Sequence, residues 1–287
     1  MKPTLRAALW MLGSVGAFST MAVAGKEVSA VHDSFEIMTL RSAVGLPLVL
    51  AIARATGQMD QIKVQRLGGH LLRNVMHFAG QNLWFFALTL IPLAQLFAIE
   101  FTSPIWVILL SPLILGEKLT APRLISALLG FIGILIVTRP DMANLNIGVL
   151  AAAGAAICFA ATNIATKRLT RGQSIITIMF WLTLMQFCFG MIASFYDGQV
   201  SWPTQATLPW LVLIGFCGVV AHYSLTSALS LAPASYVVPI DFLRLPLIAA
   251  VGALAYAEPL DPFVLGGGVV IFLGIWISVR AEFAKRL

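Results

Sequence analysis

Charge is what this chain has least of. Asp, Glu, Lys and Arg together make up 10% of its 287 residues, where an average soluble domain carries about 25%. Hydrophobic residues reach 59%. A soluble globule must cover its surface with polar groups, and there are too few here to do so. An ordinary cytosolic enzyme and a disordered protein are therefore excluded. Cysteine is scarce as well. Cys158, Cys188 and Cys217 all lie inside apolar runs, show no paired metal spacing, and by their odd number give no disulfide framework. They read as reduced core residues, and no metal or other cofactor is expected. The chain also lacks a Walker A loop, a G-x-S-x-G run and an H-E-x-x-H helix, so direct ATP drive and the common hydrolase sites find no support. The formal net charge of +6 is not gathered on any soluble face, which removes a nucleic-acid footprint.

What the chain has in quantity is long apolar runs. A helix needs about 20 apolar residues to cross a hydrocarbon core about 30 Å thick. Such runs cover 5–24, 35–53, 71–90, 93–115, 123–138, 147–166, 175–195, 208–229, 234–257 and 263–279. The breaks carry turn residues or charge: Gly57-Gln58-Met59-Asp60, Gly116-Glu117-Lys118, Arg139-Pro140-Asp141, Lys167-Arg168, Asp197-Gly198 and Glu258-Pro259 with Asp261-Pro262. The expected fold class is an all-α integral membrane protein with ten transmembrane helices. Lys2, Arg6 and the Ala22-Val23-Ala24 stretch resemble a cleavable signal peptide, but the internal repeat argues that this helix stays.

Sliding the chain by 141 positions lays Glu117 on Glu258, Arg139 on Arg280, Gly133 on Gly274 and Pro92 on Pro233. From Ala87 to Arg139 the match needs no gap and gives about 15 identities over about 53 positions, the mark of an internal repeat. The starts also agree, with Leu9 on Leu150, Gly13 on Gly154, Phe18 on Phe159 and Lys26 on Lys167. The expected division is 1–141 and 142–287, each a five-helix repeat. Five is odd, so the second repeat enters the membrane inverted. With the N-terminus in the cytoplasm, Lys2, Arg6, Arg54, Lys63, Arg66, Lys118, Arg123, Lys167, Arg168, Arg171, Arg280, Lys285 and Arg286 fall inside and Lys26 and Arg139 outside. That bias of about thirteen to two obeys the positive-inside rule and puts both termini in the cytoplasm. Inverted repeats are typical of secondary transporters, whose sites lie near the midplane where the repeats meet.

The chain resembles the drug/metabolite transporter superfamily, in its ten-helix branch called EamA. The carrying residues are Gly16-Ala17-Phe18 through Lys26 with Phe159 through Lys167, Arg41, Ala87-Leu88-Thr89-Leu90-Ile91-Pro92-Leu93-Ala94, Phe101-Thr102-Ser103-Pro104, Leu115-Gly116-Glu117-Lys118-Leu119 and Gly130 through Pro140. The second copy repeats them in Ala228 through Ala234, Glu258, and Gly274 through Arg280. It departs from the pattern where Pro259 follows the glutamate and no glycine precedes it. The resemblance covers essentially the whole chain. It implies transport of a small organic metabolite in a bacterial-type inner membrane, of the riboflavin, S-adenosylmethionine or amino-acid kind.

A charge at the bilayer centre costs about 2.5–3.5 kcal/mol on insertion scales, so it faces a cavity or a partner. On the third helix Arg73, His77 and Gln81 repeat at i, i+4, i+8 and form one stripe, which Trp84 extends by a turn and which Asn74 and Asn82 flank. The 141 shift lays Gln81 on His222, Asn82 on Tyr223 and Glu100 on Asp241. The substrate-binding candidates are His77, Gln81, Trp84, His222, Tyr223, Tyr236 and Arg244. Glu100 and Asp241 are the candidates for a proton or cation step. Arg244 falls opposite Ser103, so it gives the path an asymmetric cation for a substrate carboxylate or phosphate. The bland alternatives are interhelical hydrogen bonds along the stripe, Asp241 neutralised by Arg244 at i, i+3, Arg73 snorkelling to headgroups, and Arg41 paired with Glu36. Asn163 and Gln186 are weaker candidates. Trp10, Phe18, Phe101, Trp106, Phe159 and Phe242 read as packing.

Pro104 and Pro112 are expected to interrupt the fourth helix and Pro239 and Pro246 the ninth. Gly130, Gly133, Gly266, Gly267, Gly268 and Gly274 offer close helix contacts, within the chain or in a homodimer. The expected partners are thus a small-molecule substrate, the lipid bilayer and a second copy of the chain. An alternating-access secondary transporter fits these features. A passive facilitator or channel is the alternative, and an integral-membrane enzyme is the remote one.

Overall fold

The computed structural model describes residues 2–91, 93–139, 146–196, 201–256 and 262–284. Pro92, Pro140, Asp141, Asp197, Gly198, Glu258, Pro259, Asp261, Lys285 and Arg286 lie outside the described residues. All regular structure among the described residues is helical. In chain order the helices are α1 (Pro3–Val28), α2 (Ser34–Ala55), α3 (Leu67–Leu88), α4 (Leu93–Glu100), α5 (Ser103–Leu115), α6 (Ala121–Thr138), α7 (Ile147–Leu169), α8 (Ile175–Ser194), α9 (Leu208–Leu231), α10 (Ala234–Val237), α11 (Arg244–Tyr256) and α12 (Pro262–Ala284). A 3-10 turn, Met59–Gln61, follows α2, and a 3-10 segment, Val238–Leu243, joins α10 to α11.

Local chemistry sets several boundaries. Proline occupies the first turn of α1, α5, α6 and α9, where its missing N–H costs nothing. Asp33 and Glu36 form a capping box at α2: Glu36 N donates to Asp33 Oδ1 at 2.8 Å, and Asp33 N donates to Glu36 Oε2 at 3.1 Å. Asn146 and Ser174 accept from the backbone N–H of Val149 and Thr177 at the starts of α7 and α8. Gly116 ends α5 at φ 66°, the left-handed stop that glycine adopts without strain.

Among the described residues, seven stretches are long and apolar enough to cross a membrane: Pro3–Gly25, Ser34–Ala55, Leu96–Leu115, Ile147–Leu169, Ile175–Ser194, Leu208–Leu231 and Pro262–Ala281. α6 is apolar but shorter. α3 has the length and carries Arg73, Asn74, His77, Gln81 and Asn82. The last piece, 234–256, is divided among α10, the 3-10 segment and α11.

The helix starts keep the sequence offset. α2, α3, α5 and α6 begin at 34, 67, 103 and 121; α8, α9, α11 and α12 begin at 175, 208, 244 and 262. The packing keeps it too. α1 lies along α9 as α3 lies along α7, while α2 packs on α8 and α6 on α12. Under the offset the first two are one contact seen from each half, and the last two are self-paired, which is the signature of isologous pairing.

Two breaks position the site. Phe101 and Thr102 interrupt α4 and α5 just before Pro104, and the 3-10 segment containing Pro239 interrupts α10 and α11. Pro112, by contrast, sits inside a continuous α5, and Pro246 lies in the first turn of α11. The expected break at Pro112 is absent, and Ser111 Oγ donates to Val107 O at 2.6 Å one residue before the proline. The largest apolar cluster lies at these breaks and includes Phe101, Ile134, Tyr236, Phe242 and Ile271. Beside it α6 and α12 approach closely. A Cβ on Gly133 would meet Gly267 O at 2.7 Å, and one on Gly274 would meet Leu129 Cβ at 2.9 Å. These glycines serve contacts within the chain, and Gly266 faces open space.

Candidate functional site

Glu100 ends α4, Asp241 lies in the 3-10 segment, and Arg244 opens α11, so the two breaks bring three charges together. Arg244 Nη2 donates to Glu100 Oε1 at 2.8 Å and to Asp241 Oδ2 at 3.0 Å. Trp84 Nε1 donates to Glu100 Oε2 at 2.6 Å. The guanidinium lies 5.0 Å from the Phe101 ring centroid and 5.7 Å from that of Phe18, within cation–π reach of both. Side-chain exposure is 10% for Glu100, 17% for Arg244 and 20% for Asp241. Asp241 Oδ1 and Arg244 Nε are buried without a hydrogen-bond partner. The i, i+3 pairing of Asp241 with Arg244 thus exists, but the cation is shared with the carboxylate from the other half.

A second polar cluster lies across Phe18. Its ring meets His222 edge-on at 5.2 Å, and His222 meets His77 edge-on at 4.9 Å. His77 in turn lies 6.3 Å from Phe159. Both histidines are buried, and none of their four ring nitrogens has a hydrogen-bond partner. His222, Gln186 and Arg41 line one small cavity between α2, α8 and α9. Gln186 Nε2 donates to Asn74 O at 2.9 Å, and Asn74 Oδ1 accepts from Arg73 Nη1 at 2.9 Å. Arg73 Nε donates to Thr166 Oγ1 at 3.2 Å.

The structure brings Trp84, Glu100, Asp241 and Arg244 into the first cluster and His77 and His222 into the second. Gln81 is half-buried on α3, with Oε1 enclosed and unpartnered. Tyr223 is half-buried, 5.7 Å edge-on from Trp10. Tyr236 is 2% exposed in the largest apolar cluster. Two expectations fail. Arg73 does not snorkel, since it is 2% exposed and bonded inward. Glu36 does not pair with Arg41, since it serves the α2 cap and accepts from His32 Nδ1 at 3.3 Å and from Ser201 N. Phe18, read as packing, is the ring between the two clusters; its match with Phe159, which touches His77, was the available signal. Among the described residues no group of three His, Cys, Asp or Glu side chains has metal-binding geometry.

A bundle of long apolar helices, broken where carboxylates from both halves share one guanidinium, defines a multi-pass membrane protein with charged groups in its interior. The chain belongs to the EamA-like transporter family, whose model matches residues 5–139 and again 146–280. The riboflavin transporter of Vibrio cholerae is 30% identical over 99% of this chain and 97% of that protein. The riboflavin transporter of Brucella anthropi is 31% identical over 78% of this chain and 81% of its own. The S-adenosylmethionine uptake transporter of Rickettsia conorii is 27% identical over 91% and 88%. A crystal structure of another protein, 19% identical, matches with a TM-score of 0.84 over 98% of each chain, which shows a shared fold.

Proposed function

We propose that this chain is a secondary transporter that moves a small heteroaromatic metabolite, of the riboflavin or S-adenosylmethionine kind, by alternating access coupled to a proton. The observation that carries the reading is the single Arg244 shared by Glu100 and Asp241. Two carboxylates and one guanidinium differ by one charge, and one proton balances them. Because Glu100 and Asp241 sit at the two helix breaks, a proton that releases one carboxylate also loosens one broken helix from the other. The half-buried Phe18 ring beside Arg244 and the half-buried Trp84 on Glu100 offer flat faces to a flat substrate.

The frame for this motion is two inverted five-helix repeats, 1–141 and 142–287, giving ten spans in a bacterial inner membrane with both termini cytoplasmic. Recurring helix starts, paired contacts and the double family match support it. α4–α5 and α10–α11 then each count as one broken span, with α3 made tolerable by turning its polar stripe inward.

The test is uptake and countertransport of labelled riboflavin and S-adenosylmethionine in proteoliposomes. A carrier shows acceleration by substrate on the opposite side, and a passive facilitator does not. Glu100→Gln and Asp241→Asn are expected to abolish the response to a pH gradient. If both leave uptake and its pH dependence unchanged, the coupling assignment is wrong.

A further inference from the structure

We infer that Arg41 and Arg73 form an anion-binding subsite that receives a carboxylate or phosphate group of the transported metabolite, which favours a substrate of the S-adenosylmethionine kind over riboflavin, a molecule with neither group. The occupant rests on the transporter reading, but the subsite is legible without it. Both side chains are buried, at 7% and 2% exposure. Neither has a carboxylate partner among the described residues. Arg41's hydrogen bond is the weak one from Nη1 to Met21 Sδ at 3.9 Å, and Arg73 is held by two neutral acceptors, Thr166 and Asn74. Asn74 and Gln186 link the two side chains: Arg73 Nη1 donates to Asn74 Oδ1, Gln186 Nε2 donates to Asn74 O, and Gln186 lines the small cavity with Arg41.

A guanidinium cannot shed its charge in a protein. Burying one without an anion costs several kcal/mol, and two like charges within reach of each other cost more. Around the pair, unpartnered polar atoms converge. Gln186 Oε1 and the ring nitrogens of His77 and His222 lack hydrogen-bond partners, and Gln186 and His222 share the cavity with Arg41. Cations beside free ring nitrogens and amides fit a small oxyanion, which accepts several hydrogen bonds at once. Gly218 leaves room for the Arg41 stem, since a Cβ there would lie 3.1 Å from Arg41 Cδ. This subsite differs from the Arg244 cluster, whose cation is already engaged by two carboxylates.

The test uses full-length protein freed of phospholipid in a neutral maltoside detergent, so no lipid headgroup supplies the anion. Thermal unfolding is followed against inorganic phosphate and against acetate, with chloride holding ionic strength constant. A saturable rise in unfolding temperature is expected with at least one of them, beyond the general salt effect. Arg41→Met and Arg73→Met should each weaken the apparent affinity about tenfold or more. Without anion, Arg41→Met should unfold no lower than wild type, because it removes an unpaired buried charge. The subsite is overturned if neither anion gives a saturable shift, or if Arg41→Met lowers the anion-free unfolding temperature while keeping the shift. Where Arg41→Met fails to fold, Arg41→Lys keeps the cation and loses the planar fork: weakened affinity supports the subsite and unchanged affinity overturns it. Uptake that proceeds with no anion binding would sink the subsite and leave the transporter standing. Anion binding without any uptake would do the reverse.

Discussion

Arg244→Gln is the most informative single perturbation of the acid cluster. The native guanidinium donates from one nitrogen to both Glu100 and Asp241, at 2.8 and 3.0 Å. Removing one member of a buried ion network costs about 3–5 kcal/mol, because the remaining charges stay buried without their partner. Glu100 keeps the Trp84 indole donor at 2.6 Å. Asp241 keeps nothing, since its Oδ1 already lacks a partner. The 10% and 20% exposure of the two carboxylates admits some water, which places the expected loss near the low end, about 3 kcal/mol. Glutamine cannot restore the cation–π contacts with Phe18 and Phe101. The assay is equilibrium unfolding in mixed micelles titrated with SDS, for wild type, Arg244→Gln, Glu100→Gln and the double variant. The cycle should return a coupling of about 1–3 kcal/mol between Glu100 and Arg244. The triple variant with Asp241→Asn should recover much of the loss, because three neutral groups replace an unbalanced set. Additivity of Glu100→Gln and Arg244→Gln within about 0.5 kcal/mol would refute the shared-cation geometry.

Two further predictions concern the scaffold, read by the same unfolding assay. Gly267→Ala places a Cβ 2.5 Å from Gly133 O and from Val137 Cγ2 and should cost about 1–3 kcal/mol. Its neighbour Gly266→Ala meets nothing within 4 Å and should be neutral or gain up to about 1 kcal/mol in helix propensity; equal effects would contradict the α6–α12 packing. Glu117→Ala removes the acceptor for Ala234 N at 2.8 Å, Ser235 N at 3.1 Å and Ser235 Oγ at 2.8 Å. A loss of about 0.5–2 kcal/mol is expected, smaller for Glu117→Gln, which keeps one acceptor oxygen.

The sequence carried the repeat, and the repeat carried most of the architecture. An offset found in Glu117, Gly133 and Arg139 reappears in the starts of α2, α3, α5 and α6 against α8, α9, α11 and α12. Helix breaks were legible only in part, because a proline is tolerated in the first turn of a helix and can also sit inside a packed one: Pro104 and Pro239 lie at breaks and Pro112 does not. Periodicity placed Arg73, His77 and Gln81 on one face but could not give depth, so snorkelling stayed open for Arg73, which is buried against Thr166 and Asn74. Sequence proximity misled for Arg41 and Glu36, because an i−5 neighbour on a helix points elsewhere and the Asp33 cap competes for the carboxylate. The sharing of Arg244 by acids 141 residues apart needed the tertiary fold.

The two halves match in the acids of the Arg244 cluster and differ in the guanidinium groups beside them and beside the histidines, which bears on selectivity. Glu100 answers to Asp241, but Arg244 answers to Ser103, Arg41 to Leu182 and Arg73 to Ile214. A twofold-symmetric site would present the same groups to both ends of a ligand, and metabolites of this kind are not symmetric. The proposed alternating-access mechanism assigns selectivity to the unmatched cations and the shared transition to the matched acids. Exchanging the cation between halves tests that division. Ser103 opens α5 three residues after Glu100, as Arg244 opens α11 three residues after Asp241. Ser103→Arg combined with Arg244→Ser returns a guanidinium to the i, i+3 position of the other acid. The double variant should recover a measurable part of the stability lost in Arg244→Ser alone, and its preference among competing substrates in exchange assays should change. Recovery of stability with unchanged preference would show that Arg244 balances charge without reading the substrate, and no recovery at all would show that the two positions are not equivalent.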